Sequence, residues 1–144
     1  MFEIRKATLV DIPLINQLAW IVFPHTYKDI LSPEQIDYMM EWMYSPNNLE
    51  KQMTEDGHIY YLAFRDDEPA GYLSMQPESE HIYHLQKIYV LPNYQGMKLG
   101  KMLFQQAIDG IKELHPAPCQ MCLNVNRHNK AIDFYRNMGM YKMA

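Results

Sequence analysis

A chain of 144 residues that is 48% hydrophobic is one domain with enough apolar surface for a sizeable core. A net charge of −4, with no basic aromatic-rich face in the sequence, argues against nucleic acid as a partner. Twelve methionines beside two cysteines, no signal peptide and no long uncharged apolar run exclude a disulfide framework and a membrane span, so a cytoplasmic protein is expected.

In chain order, a first strand is predicted over about Phe2 to Ala7. Thr8 with Asp11 three residues on resembles a capping signal, and Ile12, Leu14, Ile15, Leu18 and Ala19 form a helical apolar stripe. Ser32-Pro33-Glu34-Gln35 is a cleaner helix start, with Ser as N-cap, Pro first and Gln reaching back. Ser45-Pro46 opens a shorter helix that Gly57 ends. His58 to Arg65 and Ala70 to Met75 form a hairpin about the polar turn Asp66-Asp67-Glu68-Pro69. The cluster of Met39, Met40 and Met43 with Tyr38 and Trp42 reads as core and pocket wall.

His81 to Val90 is the next strand, followed by a tight turn at Leu91-Pro92-Asn93-Tyr94 and a helix from about Lys98 to Leu114. The first turn of that helix is expected to contain Gly96 and Gly100. Free backbone N–H groups at the positive end of its dipole then make a site for the phosphates of a cofactor. Pro116 and Pro118 break the helix, Cys119 to Val125 is strand-like, and Asn129 to Met138 is helical with Gly139 as C-cap. The order β-α-α-α-β-β-β-α-β-α is a mixed α/β domain.

Charge divides along the chain. Residues 1–80 carry 14 Asp/Glu and 5 Lys/Arg, a net −9, while residues 81–144 carry 3 and 8, a net +5. The basic half holds the phosphate-binding segment, and the acidic half would face a cationic acceptor. A solvated surface with chance asymmetry explains the same division equally well.

Two motifs carry a family resemblance. Gln95-Gly96-Met97-Lys98-Leu99-Gly100, with Lys101 following, resembles the acyl-CoA pyrophosphate loop of the GNAT N-acetyltransferase superfamily, Gln/Arg-x-x-Gly-x-Gly/Ala. Lys98 stands where the family usually has glycine. Its charge could reach a phosphate or its Cβ could crowd the backbone, and an α-helical φ would make it harmless. Asn129 to Gly139 is similar to the family's Asn-x-x-Ala-x-x-Phe-Tyr-x-x-x-Gly helix. The resemblance implies one domain over 1–144 with the GNAT fold: a mostly antiparallel sheet with a parallel pair at the CoA site, flanked by helices. The family usually has further strands after this helix, but only Met140 to Ala144 remain here. The chain is then either truncated or completed by a partner, as in a homodimer.

The resemblance further implies transfer of an acetyl group from acetyl-CoA to a primary amine of a small molecule or peptide. Gln95, Gly96, Lys98, Gly100, Lys101 and Asn129 would bind the cofactor, and backbone N–H groups around Ile88 and Val90 would hold its pantetheine arm and polarise the carbonyl. Tyr135 matches the family's general acid for the CoA sulfur, although on its residues alone it is equally a core aromatic. His84 stands where relatives carry a glutamate base, with Gln86 on the same strand face, and histidine is a competent base at neutral pH. A structural histidine is the plainer reading.

Helix placement resembles the polyamine-acetyltransferase-like branch. Glu34, Asp37 and Glu41 share one helix face and could attract a polyamine, although a hydrated face is the plainer account. A non-catalytic CoA-binding or regulatory module is the alternative function. The spacing Cys119-Gln120-Met121-Cys122 invites a zinc or redox reading with His115 and His128, but residues three apart on a strand face opposite ways, so no metal site is expected.

Overall fold

The computed structural model describes residues 2–79, 81–115, 119–123 and 135–136. The elements are β1 (Phe2–Lys6), α1 (Ile12–Tyr27), α2 (Pro33–Tyr44), α3 (Pro46–Thr54), β2 (Ile59–Arg65), β3 (Glu68–Ser79), β4 (Ile82–Val90), α4 (Leu99–Leu114) and β5 (Gln120–Cys122). The strands form a single sheet in chain order, antiparallel from β1 to β4 and parallel between β4 and β5. The expected mixed architecture with one parallel pair is therefore present. Among the described residues no helix is long and apolar enough to cross a membrane.

Local chemistry sets the boundaries. Asp11 ties β1 to α1: it accepts from the Thr8 N–H at 2.9 Å and takes both ends of the Arg5 guanidinium at 2.9 and 2.8 Å. The Arg5 hydrogen bonds hold the Asp11 carboxyl down at about 2. The capping signal at Thr8 governs only a 3-10 turn, Leu9–Asp11, and α1 begins after it. At α2 the predicted box forms, with the Gln35 N–H donating to Ser32 Oγ at 3.2 Å and the Ser32 N–H to Gln35 Oε1 at 2.8 Å. The β2–β3 turn is tighter than expected. Asp66 and Asp67 alone occupy it, at φ 49° and 70°, so β3 starts at Glu68 and continues past Met75 to Ser79.

Alternation along the strands divides the core. Leu62 and Tyr72 face α1, α2 and α3 together with Ile15, Val22, Met40 and Leu49. Ala63, Leu73 and Met75 face α4, which contributes Leu99, Leu103, Phe104 and Ala107. Of the cluster read as core and pocket wall, Met40 is in the first core, while Tyr38 and Trp42 are 70% and 62% exposed. They lie on the outer side of α2, away from the sheet that buries Met40 and Tyr44.

The first core encloses a charged group. Lys87 is buried; its Nζ donates to Gln52 Oε1 at 3.0 Å, contacts the Tyr60 hydroxyl and lies 4.4 Å from the Tyr44 ring centre. The Tyr60 hydroxyl donates to Gln52 Oε1 at 2.7 Å, and Tyr72 donates to Tyr44 at 2.9 Å. Burial draws the Lys87 ammonium down from 10.5 to about 7. The unfolded chain keeps this proton up to the ordinary lysine value, so above about pH 7 the folded protein holds fewer protons and stability rises with pH. Replacing Lys87 by Met should flatten that rise, which is at most about 1.4 kcal/mol per pH unit, in urea melts between about pH 7 and about pH 9.5.

Candidate active site

β4 is the strand from which the site is built. It pairs with β3 along its length, with a bulge at Gln86, because Ser74 faces Lys87 while Met75 faces Leu85. On its other side the parallel ladder with β5 consists of Ile82–Gln120, Tyr83–Met121 and His84–Cys122. Among the described residues the pairing on that edge ends at His84. The bulge directs Ile88 and Val90 to the α4 side and Lys87, Tyr89 and Leu91 to the side of α1 to α3. Gly71 lies opposite Val90, where a Cβ would stand 2.5 Å from the Tyr89 carbonyl oxygen, so only glycine lets β3 and β4 approach this closely.

The loop after β4 delivers the helix dipole to that edge. Pro92–Tyr94 forms a 3-10 turn, and Gln95 Nε2 reaches back to the Val90 carbonyl at 3.4 Å. Gly96 and Lys98 both adopt left-handed backbone, at φ 83° and 67°, and α4 starts at Leu99. Gly96 is therefore in the turn before the helix and not in its first turn. Lys98 is not α-helical, so its presence at the family's glycine position carries a backbone cost of about 1–2 kcal/mol. A residue read as a helix start is in fact the N-cap.

That N-cap offers no side-chain acceptor, and no acidic residue lies in the first turn. The backbone closes its first helical bond from the Met102 N–H to the Lys98 carbonyl at 3.2 Å. The preceding N–H groups of Leu99, Gly100 and Lys101 form the positive end of the dipole, and the Lys98 side chain does not cap them. Lys98 and Lys101 add cations. Arg65 adds another that the sequence reading missed: its Nη1 lies 2.9 Å from Met97 Sδ. Only the hairpin turn between β2 and β3, some thirty residues earlier, places it there, so no local signal marks it.

His84 is buried at the last rung of the parallel ladder. Its Nδ1 lies 2.8 Å from Glu78 Oε1 and 3.4 Å from Cys122 Sγ. A carboxylate on Nδ1 orients the ring and assigns the lone pair to Nε2, the arrangement a general base needs. Glu78 was not singled out in the sequence, because it is the bulged residue between the Pro77–Tyr83 and Ser79–Ile82 pairs of an irregular strand end. Cys122 and Cys119 join different side-chain groups, so they do not form a pair.

Tyr135 is helical and packs partly buried against the α4-side core. Burial first, then the neighbouring Tyr27, pushes its hydroxyl above the ordinary tyrosine value. Tyr27 and Tyr89 join their hydroxyls at 3.1 Å, and Tyr135 contributes to raising Tyr89. Tyr27, Tyr89 and Tyr135 are thus neighbours, where the sequence reading had singled out Tyr135 alone. Asn129 and the rest of the predicted last helix lie outside the described residues, as do the residues after Arg136. On the helical side, Glu34, Asp37 and Glu41 are all exposed. A groove of about 320 Å³ between α1 and α2 is lined by Trp20, Pro24, Lys28, Leu31, Ile36 and Asp37.

The profile of the acetyltransferase (GNAT) family matches residues 14–140, and the chain belongs to that family. It is 26% identical to the spermidine N(1)-acetyltransferase of Thermoplasma acidophilum, over 95% of this chain and 86% of that protein. It is 25% identical to an uncharacterized N-acetyltransferase of Lactobacillus delbrueckii subsp. lactis, over 99% and 86%. Among solved structures, the PaiA N-acetyltransferase of T. acidophilum in complex with coenzyme A superposes with a TM-score of 0.81 at 26% identity, covering 96% of this chain and 89% of that one. The ribosomal-protein-S18-alanine N-acetyltransferase of Escherichia coli shares the fold at 19% identity, with a TM-score of 0.75 over 100% and 80%.

The left-handed loop yields a paired prediction. Lys98→Gly should stabilise the protein by about 1 kcal/mol by removing the Cβ strain, whereas Gly96→Ala should destabilise it by about 1 kcal/mol or more. Urea melts of the two variants beside the wild type measure both.

Proposed function

We propose that this protein is an acetyl-CoA-dependent N-acetyltransferase acting on a primary amine, with a polyamine as the leading acceptor class. The observation that carries the reading is the N terminus of α4, which has no side-chain cap, flanked by Lys98 and Lys101 and following directly on the C-terminal end of β4. The pyrophosphate of the donor would take the N–H groups of Leu99, Gly100 and Lys101. Its pantetheine arm would run along the strand edge at Ile88 to Val90, where backbone N–H groups polarise the thioester carbonyl. Gln95 would hold the loop to Val90 rather than the donor, given its contact with that carbonyl. Asn129 stays a proposed donor ligand through its motif.

In the reaction the amine nitrogen forms a bond to the thioester carbon and the carbon–sulfur bond breaks. An aliphatic amine is almost wholly protonated at neutral pH, so its proton must first be taken. We assign this to His84, oriented by Glu78, acting directly or through water. Tyr135, protonated throughout the neutral range, would donate to the sulfur as its negative charge develops. A phenol above 10 is a weaker acid than a thiol near 8.5, so this donation acts mainly as a hydrogen bond to the leaving group.

The exposed acidic face of α2 and the relative active on spermidine support a cationic acceptor. Trp20 and Asp37 in the α1–α2 groove offer an aromatic surface and a carboxylate for an ammonium. The reaction would take place in the cytoplasm.

Calorimetric titration with acetyl-CoA tests the donor site. Gly100→Glu suits the helix dipole and should preserve stability while repelling phosphate, so donor affinity should fall at least about tenfold with an unchanged melt. Thiol release with spermidine tests the chemistry. His84→Ala should lower kcat by about 10²-fold or more, and Tyr135→Phe by a smaller factor. Donor binding without thiol release from any amine would instead favour the binding-module reading.

A further inference from the structure

Far from the α4 N terminus, three side chains from separate segments meet. β4 runs from beside His81 to the phosphate loop, roughly 25 Å away, and α4 runs back to His115. His81 stands exposed in the turn before β4, His115 is the C-cap of α4, and Cys119 directly precedes β5. One ligand atom from each lies within 4.8 Å of the other two. The imidazole rings are 5.2 Å apart and nearly perpendicular, at 78°. The backbone beneath them is tied: the Gln120 N–H donates to the His81 carbonyl at 2.8 Å, and the His115 N–H to Ile111 at 2.8 Å.

We propose that His81, His115 and Cys119 hold one zinc ion, with a fourth position taken by water. Two imidazole nitrogens and one thiolate suit a borderline metal, and a set without carboxylates disfavours magnesium and calcium. Tetrahedral zinc with bonds of about 2.0–2.3 Å places its donor atoms about 3.3–3.7 Å apart. The donor atoms, all within 4.8 Å of one another, need only a modest contraction to reach that range. The ion would sit at the negative end of the α4 dipole, where a cation is favoured. Binding releases the thiol proton to solvent and leaves the imidazoles neutral. The set pairs Cys119 not with Cys122 but with His115, four residues before it, and with His81 from the turn before β4. The ion would pin the β3–β4 turn, the end of α4 and the start of β5, and so brace the parallel pair whose other end borders the proposed acetyl site.

Chelator-stripped protein is titrated with Co²⁺ as a spectroscopic probe, then challenged with Zn²⁺. One equivalent of Co²⁺ should give a thiolate-to-cobalt charge-transfer band, and zinc should displace it and raise the Tm. Cys119→Ser should abolish the band and Cys122→Ser should leave it intact. His81→Asn, in an exposed turn where folding is unaffected, should weaken metal binding at least about tenfold, with circular dichroism as the check. The absence of a charge-transfer band in the wild type would overturn the proposal. So would a band that survives Cys119→Ser but is lost in Cys122→Ser, which would assign the metal to Glu78, His84 and Cys122.

Discussion

The unequal pairing of β4 governs the rest of this structure. Its bonding to β3 runs the length of the strand with two bulges, at Gln86 and at Glu78, whereas among the described residues its parallel ladder with β5 comprises the pairs from Ile82 to His84. A parallel strand needs a crossover, and here the crossover is α4, which starts at the far end of β4 and returns to β5. The same connection therefore does two things. It completes the second core through Leu103 and Phe104, and it sets a helix N terminus at the C-terminal end of β4.

The two faces of the sheet divide the work. The α4 face is apolar around the elements that would hold the donor, and its precision depends on backbone: a glycine against Tyr89 and two left-handed residues in the loop. The opposite face carries polar chemistry inside the core, with Lys87, Gln52 and the Tyr44, Tyr60 and Tyr72 hydroxyls sharing hydrogen bonds. An unpaired ammonium there would be costly; the Tyr44 ring and the Gln52 oxygen offset part of that cost. The network lies one residue from Ile88, so it also holds the strand that would face the thioester.

The charge division along the chain becomes a division in space only in part. Lys98, Lys101 and Arg65 gather at the phosphate loop, but Arg65 comes from the acidic half. The acidic residues of α2 stay exposed, and Glu78 turns to His84. Net charge by segment did not identify which charges would meet.

Much was legible in local pattern. Helical stripes, the Ser32 and Ser45 caps, the hairpin and the strand–turn–helix at the phosphate loop depend on neighbours within a few residues, and short-range sterics and hydrogen bonding decide them. The family followed from two motifs of that kind. Backbone conformation at Lys98 was not legible, because lysine normally avoids a left-handed φ and only the demand of the loop imposes it. The Tyr27–Tyr89 pair and the approach of His81 to His115 and Cys119 join segments distant in the chain, and the Glu78–His84 contact, although only six residues apart, depends on the bulged register of β3 on β4. The sequence by itself determined the elements, their order and the loop that suits a phosphate. Only the tertiary structure decided which side chains share a site, since that depends on strand register and on where a crossover helix ends, and neither is written in local spacing.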